Sequence, residues 1–194
     1  MDNPLQDIDK TFERNLPAHQ NLNDYLFKEV IPQIRHLSED LREEKFYVLE
    51  GGKPWLEITD NPNAQEAVLH FFNTNGEYLK SVDGNVSRGR WRLLDQTNKM
   101  IIEQGGGGKG DPNKNELYEL AFLNPQFFIL KKHSGKTKTP KFLFLGYEGT
   151  VRGLKWLDCV ELLYNEYRNE WSSFNTIVVV AVVIIVLLFF LSYF

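Results

Sequence analysis

Cysteine is nearly absent from this chain: among 194 residues only Cys159 is a thiol. That excludes an internal disulfide framework and suits a reducing compartment. An excess of positive charge is missing too. Lys and Arg number 22 against 26 Asp and Glu, for a net charge of −4, so the basic footprint of a nucleic-acid binder is not present. The first ten residues, Met1 to Lys10, are polar and lack the apolar stretch of a secretory signal. The four histidines, His19, His36, His70 and His133, stand far apart and share no metal-ligand spacing with Cys159. No Ser/His/Asp context accompanies them. The sequence therefore assigns no catalytic residue, no metal ligand and no cofactor, and the expectation is a protein that is not an enzyme.

What the sequence has in quantity is apolar surface at one end. Every residue from Ile177 to Leu191 is apolar, and no charge follows Glu170. Counted from Phe174, the stretch has 21 residues. As a helix it would be about 31 Å long, enough to cross a hydrocarbon core of about 30 Å. A lone strand would leave its backbone unpaired in lipid, which selects a helix. Trp171 and Phe174 stand where one interfacial belt is expected and Tyr193 where the other is. The expectation is a single-pass, tail-anchored protein whose partner through 174–194 is the lipid bilayer. Without a signal, the remainder is expected to face the cytoplasm.

Three zones precede that segment. Residues 1–45 read as helical, because Leu22, Leu26, Val30, Ile34, Leu37 and Leu41 recur at steps of three and four. Pro32 must kink this helix or start a second one. Residues 46–148 read as a β-meander of eight or nine strands: Phe46–Glu50, Pro54–Thr59, Ala67–Phe72, Glu77–Val82, Gly89–Leu94, Met100–Gln104, Glu116–Phe122, Gln126–Lys131 and Phe142–Tyr147. Turn residues separate them, among them Gly51-Gly52, Asn75-Gly76, Asp83-Gly84 and Asn124-Pro125. Short strands at this spacing with no helical pattern between them indicate an up-and-down barrel or sandwich. Residues 149–173 read as an amphipathic connector helix with a stripe of Leu154, Leu157, Val160, Tyr164, Tyr167 and Trp171.

Within the meander the order of features carries a family likeness. Phe71-Phe72-Asn73-Thr74-Asn75-Gly76-Glu77-Tyr78 leads through Asp83-Gly84-Asn85 to Gly89-Arg90-Trp91. The strands Met100-Ile101-Ile102, Tyr118-Glu119-Leu120 and Phe127-Phe128-Ile129-Leu130 follow. This succession, from Ala67 to His133, resembles the bacterial lipocalin-like domains, and the resemblance implies a β-barrel. That family opens on a G-x-W strand after a signal. Here the first strand offers Pro54-Trp55-Leu56 behind Gly51-Gly52 and no signal, which departs from extracytoplasmic ligand capture.

Two loops stand out. Gly105 to Gly110 has Lys109 but lacks the Ser or Thr and the following helix of a phosphate loop, so it reads as a flexible hairpin loop. From Lys131 to Lys141 run Lys131, Lys132, Lys136, Lys138 and Lys141 with no acid between them. They read either as a solvated hairpin loop or as a contact loop for anionic headgroups or an acidic partner. The function expected is an adaptor or structural subunit that displays a barrel to a protein partner at a membrane. A tethered carrier of a small lipophilic ligand is the alternative. Interior composition separates the two, since Phe71, Phe72, Phe122, Phe127, Phe128, Phe142 and Phe144 are expected to fill a small barrel.

Overall fold

A computed structural model describes residues 21–49, 51–61, 63–64, 66–105, 114–133, 140–165, 178 and 180–185. Eight antiparallel strands follow one another in chain order and close into a barrel: β1 (Trp55–Glu57), β2 (Val68–Phe72), β3 (Glu77–Val82), β4 (Asn85–Leu93), β5 (Lys99–Gln104), β6 (Lys114–Leu123), β7 (Phe127–Lys132) and β8 (Lys141–Tyr147). β8 returns to β1 with Tyr147 opposite Trp55, so no sheet edge is left unpaired along the seam. The chemistry of the turns explains the hairpins. Asp83 and Gly84 both take positive φ, 47° and 85°, as a two-residue turn between twisted strands requires. Gly89 is needed for a different reason: a Cβ there would lie 2.0 Å from the Glu103 carbonyl oxygen of β5.

Side chains alternate between two cores. The interior holds Trp55, Phe72, Tyr78, Trp91, Met100, Ile102, Tyr118, Leu120, Phe128, Leu130 and Leu145. The outer face of β6 to β8 holds Ala121, Phe122, Phe127, Ile129 and Phe144 beneath the helices. β7 is thus buried on both faces, Phe127 to Leu130 without a break. A bulge between Leu120 and Phe122 makes this possible in β6. The extra residue keeps Leu120 and Leu123 inward while Ala121 and Phe122 both face the helices. Of the seven phenylalanines expected to fill the barrel, only Phe72 and Phe128 do so. Phe122, Phe127, Phe142 and Phe144 belong to the outer core.

The covering layer begins with α1, a helical rod over 22–37 made of four pieces: Leu22–Tyr25, a wider turn Leu26–Val30, Ile31–Ile34 and a tighter turn Arg35–Leu37. Pro32 stands in the first turn of the third piece. The wider turn before it, in which Ile31 donates to the Leu26 carbonyl, lets the rod continue past the missing N–H. Both ends of α1 are clipped to the barrel. Asn23 Oδ1 accepts from the Phe142 amide at 2.7 Å and Asp60 Oδ2 from the Leu22 amide at 2.6 Å. At the other end, Ser38 Oγ accepts from the Leu123 amide at 3.0 Å.

The expected helix stops at Leu37 rather than continuing to Lys45. Ser38 to Glu43 run without helix or strand, because Ser38 turns its backbone extended to reach β6. The expected strand Phe46–Glu50 is likewise absent over its described residues, 46–49. Glu44–Phe46 forms one tight helical turn and Val48 makes a single bridge to Phe72, since closing the barrel leaves no edge for a ninth strand.

The connector also differs from expectation. Glu148–Val151 forms α2, the chain turns at Gly153 with φ 81°, and α3 resumes over 156–165. The buried face of α3 is Cys159, Val160 and Leu163, with Trp156 edge-on to Tyr25 of α1 at 6.3 Å between ring centres. Leu154 and Leu157 are exposed, because the break before 156 rotates the expected stripe. Tyr167 and Trp171 lie outside the described residues. Among the described residues no helix is long and apolar enough to cross a membrane. The expected span 174–194 is described only at 178 and 180–185, where it is helical.

Candidate functional site

The barrel has two unlike ends, and the strand register places them. At the end where β1 begins, the segment 41–48 enters as a plug. Tyr47 is wholly buried among the interior rings of Phe128, Trp91 and Phe72, at 5.0, 5.6 and 6.1 Å between centres. Its hydroxyl donates to the Leu41 carbonyl at 2.8 Å, and its own carbonyl accepts from the Trp55 indole at 3.0 Å. Lys53 fastens the plug from outside. Its ammonium donates to the Phe46 carbonyl at 2.6 Å and to the Pro125 carbonyl at 2.7 Å, over the Trp55 ring at 4.3 Å. Burial pulls its pKa down to about 8.

At the opposite end the inward positions turn polar. His70, on the inner face of β2, is buried between Glu57 of β1 and Tyr78 of β3. Nε2 lies 3.0 Å from the Glu57 carboxylate and Nδ1 lies 2.6 Å from the Tyr78 hydroxyl. Burial lowers the His70 pKa against the pull of Glu57. The hydrogen bond from His70 holds the Glu57 carboxyl below its usual range despite burial. An ionised Glu57 can only accept, so Nε2–H donates to it and Nδ1 accepts from Tyr78. Across the mouth, Glu116 of β6 accepts from Tyr118 at 2.5 Å and from the Lys132 ammonium. Burial acts to raise the Glu116 carboxyl, but the bonds from Lys132 and Tyr118 outweigh it and hold the group low. Lys80, opposite His70 in the β2–β3 register, acts electrostatically on Glu57, His70 and Glu116. Among the described residues it forms no ion pair.

Chemically, this mouth is a set of mutually satisfied donors and acceptors. It orders the barrel end and sets the Lys80 ammonium in the field of its carboxylates. Among the described residues no three His, Cys, Asp or Glu side chains come together to hold a metal ion.

The sequence-expected contact residues divide. Lys131 and Lys132 belong to β7 and Lys141 opens β8, so these three are strand residues rather than loop residues. Lys131 stands opposite Glu119, and Lys132 is engaged by Glu116. Lys136 and Lys138, the run 106–110, and Trp171, Phe174 and Tyr193 lie outside the described residues. The sequence reading missed the polar mouth and the outer wall of β3 to β5. On that wall, Arg88, Arg90 and Arg92 share the outer face of β4, since Trp91 faces in. Beside it a cleft of about 300 Å³ is lined by Leu49, Phe71 and Leu79 with Asn73 and Asn75 at its rim. The signal was present as arginines at alternate positions of a strand whose intervening residue is a core tryptophan.

Fold and site together define a closed eight-stranded antiparallel β-barrel with a filled interior, a plugged end and a polar mouth. No protein-family model, no curated protein and no solved structure matches the chain.

Proposed function

We propose that this is a single-pass membrane protein whose lipocalin-like barrel displays an outer surface to a protein partner, as an adaptor or structural subunit of a membrane-associated assembly. The observation that carries the reading is the helix at 178 and 180–185. Val182, Val183, Ile184 and Ile185 are 50 to 62% exposed. At 3.6 residues per turn four successive residues point to every side, so the helix is apolar all round. Such a helix requires an apolar surrounding that the described part of the chain does not supply. The continuous apolar sequence on both sides of it matches the length of a bilayer core.

The adaptor is preferred to the carrier because Trp55, Phe72, Tyr78, Phe128 and the plug residue Tyr47 leave the centre of the barrel occupied. The test is fractionation of the full chain. It should stay with membranes through high-salt and alkaline washes, and the double variant Val183→Lys/Ile184→Lys should lose that retention. Each charge at the centre of a span costs about 2.5–3.5 kcal/mol. A wild-type chain released by salt, or a double variant retained like wild type, would sink the membrane half. A detergent-extracted chain that is a lone monomer would sink the adaptor half.

A further inference from the structure

The helices cover the outer face of β6 to β8, whereas the outer face of β3 to β5 carries a row of arginines. Arg88, Arg90 and Arg92 project from alternate positions of β4, about 6.7 Å apart along the strand. Register sets Arg90 directly between Glu77 of β3 and Glu103 of β5. Yet both carboxylates lean to the diagonal neighbours. Glu77 lies 3.9 Å from Arg88 and Glu103 lies 3.7 Å from Arg92, too far for hydrogen bonds. The other oxygen of Glu77 accepts from Asn73 at 2.9 Å. Arg90, at the centre of the row, is exposed and among the described residues has no ion pair. The flanking arginines keep 82% and 59% of their side chains exposed, so three guanidinium forks remain open.

The cleft adjoins this row. Leu79 stands opposite Arg88 on one side and Phe71 on the other, and both line the cleft with Leu49, which is 56% exposed. Its volume of about 300 Å³ lies at the lower end of the range of binding clefts and accommodates a large side chain. An apolar pocket beside arginines is the arrangement in which a few contacts dominate binding between proteins.

We infer that this wall binds an extended acidic segment of a partner protein, with carboxylates at alternate positions on Arg88, Arg90 and Arg92 and a large apolar side chain in the cleft. An extended segment repeats its alternate side chains at the spacing of the arginines, and a guanidinium receives a carboxylate through two parallel hydrogen bonds. A flat anionic bilayer fits less well, because a plane of headgroups places no large apolar side chain in the cleft beside the arginines. The inference rests on the partner-displaying reading and names its surface.

The experiment selects a random peptide library on the full chain in mild detergent. Enriched peptides should carry Asp or Glu at alternate positions next to Leu, Phe or Trp. Their affinity should fall at least tenfold in Arg88→Glu/Arg90→Glu/Arg92→Glu, which should itself select basic peptides. Arg90→Gln alone and Phe71→Ser should each weaken binding several-fold with the melting temperature unchanged. Enrichment without acidic residues, or affinities that ignore all these variants, would overturn the inference. Protection of the three arginines from phenylglyoxal by anionic but not neutral vesicles would also overturn it, in favour of lipid. None of these variants touches 174–194, so a failure here leaves membrane retention intact, and loss of retention leaves the peptide preference intact.

Discussion

His70 stands between the Glu57 carboxylate and the Tyr78 hydroxyl, and burial depresses its pKa. The folded protein therefore holds it neutral, while the unfolded chain takes up a proton near the ordinary value of 6.5. Below that pH the unfolded state binds more protons, so stability is complete above about pH 6.5 and declines as pH falls. Glu57, also depressed, adds a second loss below its ordinary 4.5. The urea midpoint should be level above about pH 7 and drop between pH 6.5 and 5. His70→Gln should flatten that first limb, since an amide can still donate to Glu57 and accept from Tyr78. A midpoint that rises on acidification would refute the assignment. None of this was legible in the sequence, where His70 is one residue of an apolar strand and its partners are 13 and 8 positions away.

At the scale of elements, the plug shows why local pattern misled. Phe46 to Leu49 is apolar and β-branched enough to read as a strand, but a strand exists only if an edge remains to pair with it. With β8 closing on β1 there is none, and the segment instead caps the barrel with Tyr47. Lys53 is the fastening. Replacing it with Met would remove two charged hydrogen bonds while keeping the aliphatic stem over Trp55. The expected cost is about 1–3 kcal/mol. Amide exchange should accelerate at Tyr47 and Val48 while the β5–β6 ladder keeps its protection. Uniform loss of protection across the barrel would mean that the plug is not a separate element. The connector misled for a related reason: Gly153 breaks the helix, and the phase of α3 restarts at 156 to suit α1 and β8 rather than the preceding stripe.

For the whole molecule, the described barrel, α1 and α3 form two cores whose members among the described residues all precede residue 166. Removing 174–194 should therefore leave a folded domain with a β-rich circular dichroism spectrum and a cooperative melt. An unfolded truncation would show that the last segment contributes to the cores. The sequence by itself determined the β class, the order of the strands and most of their bounds to within a residue. Glu77–Val82 agrees to the residue, and only β4 begins several residues early, at Asn85. These are local properties, set by two-residue periodicity and by turn residues such as Asp83-Gly84. Tertiary structure alone decided which side of each strand is inside. In β7, where Phe127 to Leu130 are buried in succession, periodicity disappears because helices cover the outer face, and four equivalent apolar residues cannot state which two fill the barrel. Only closure of β8 on β1, the bulge at Ala121 and the docking of α1 assign Phe128 and Leu130 to the interior and Phe127 and Ile129 to the helices.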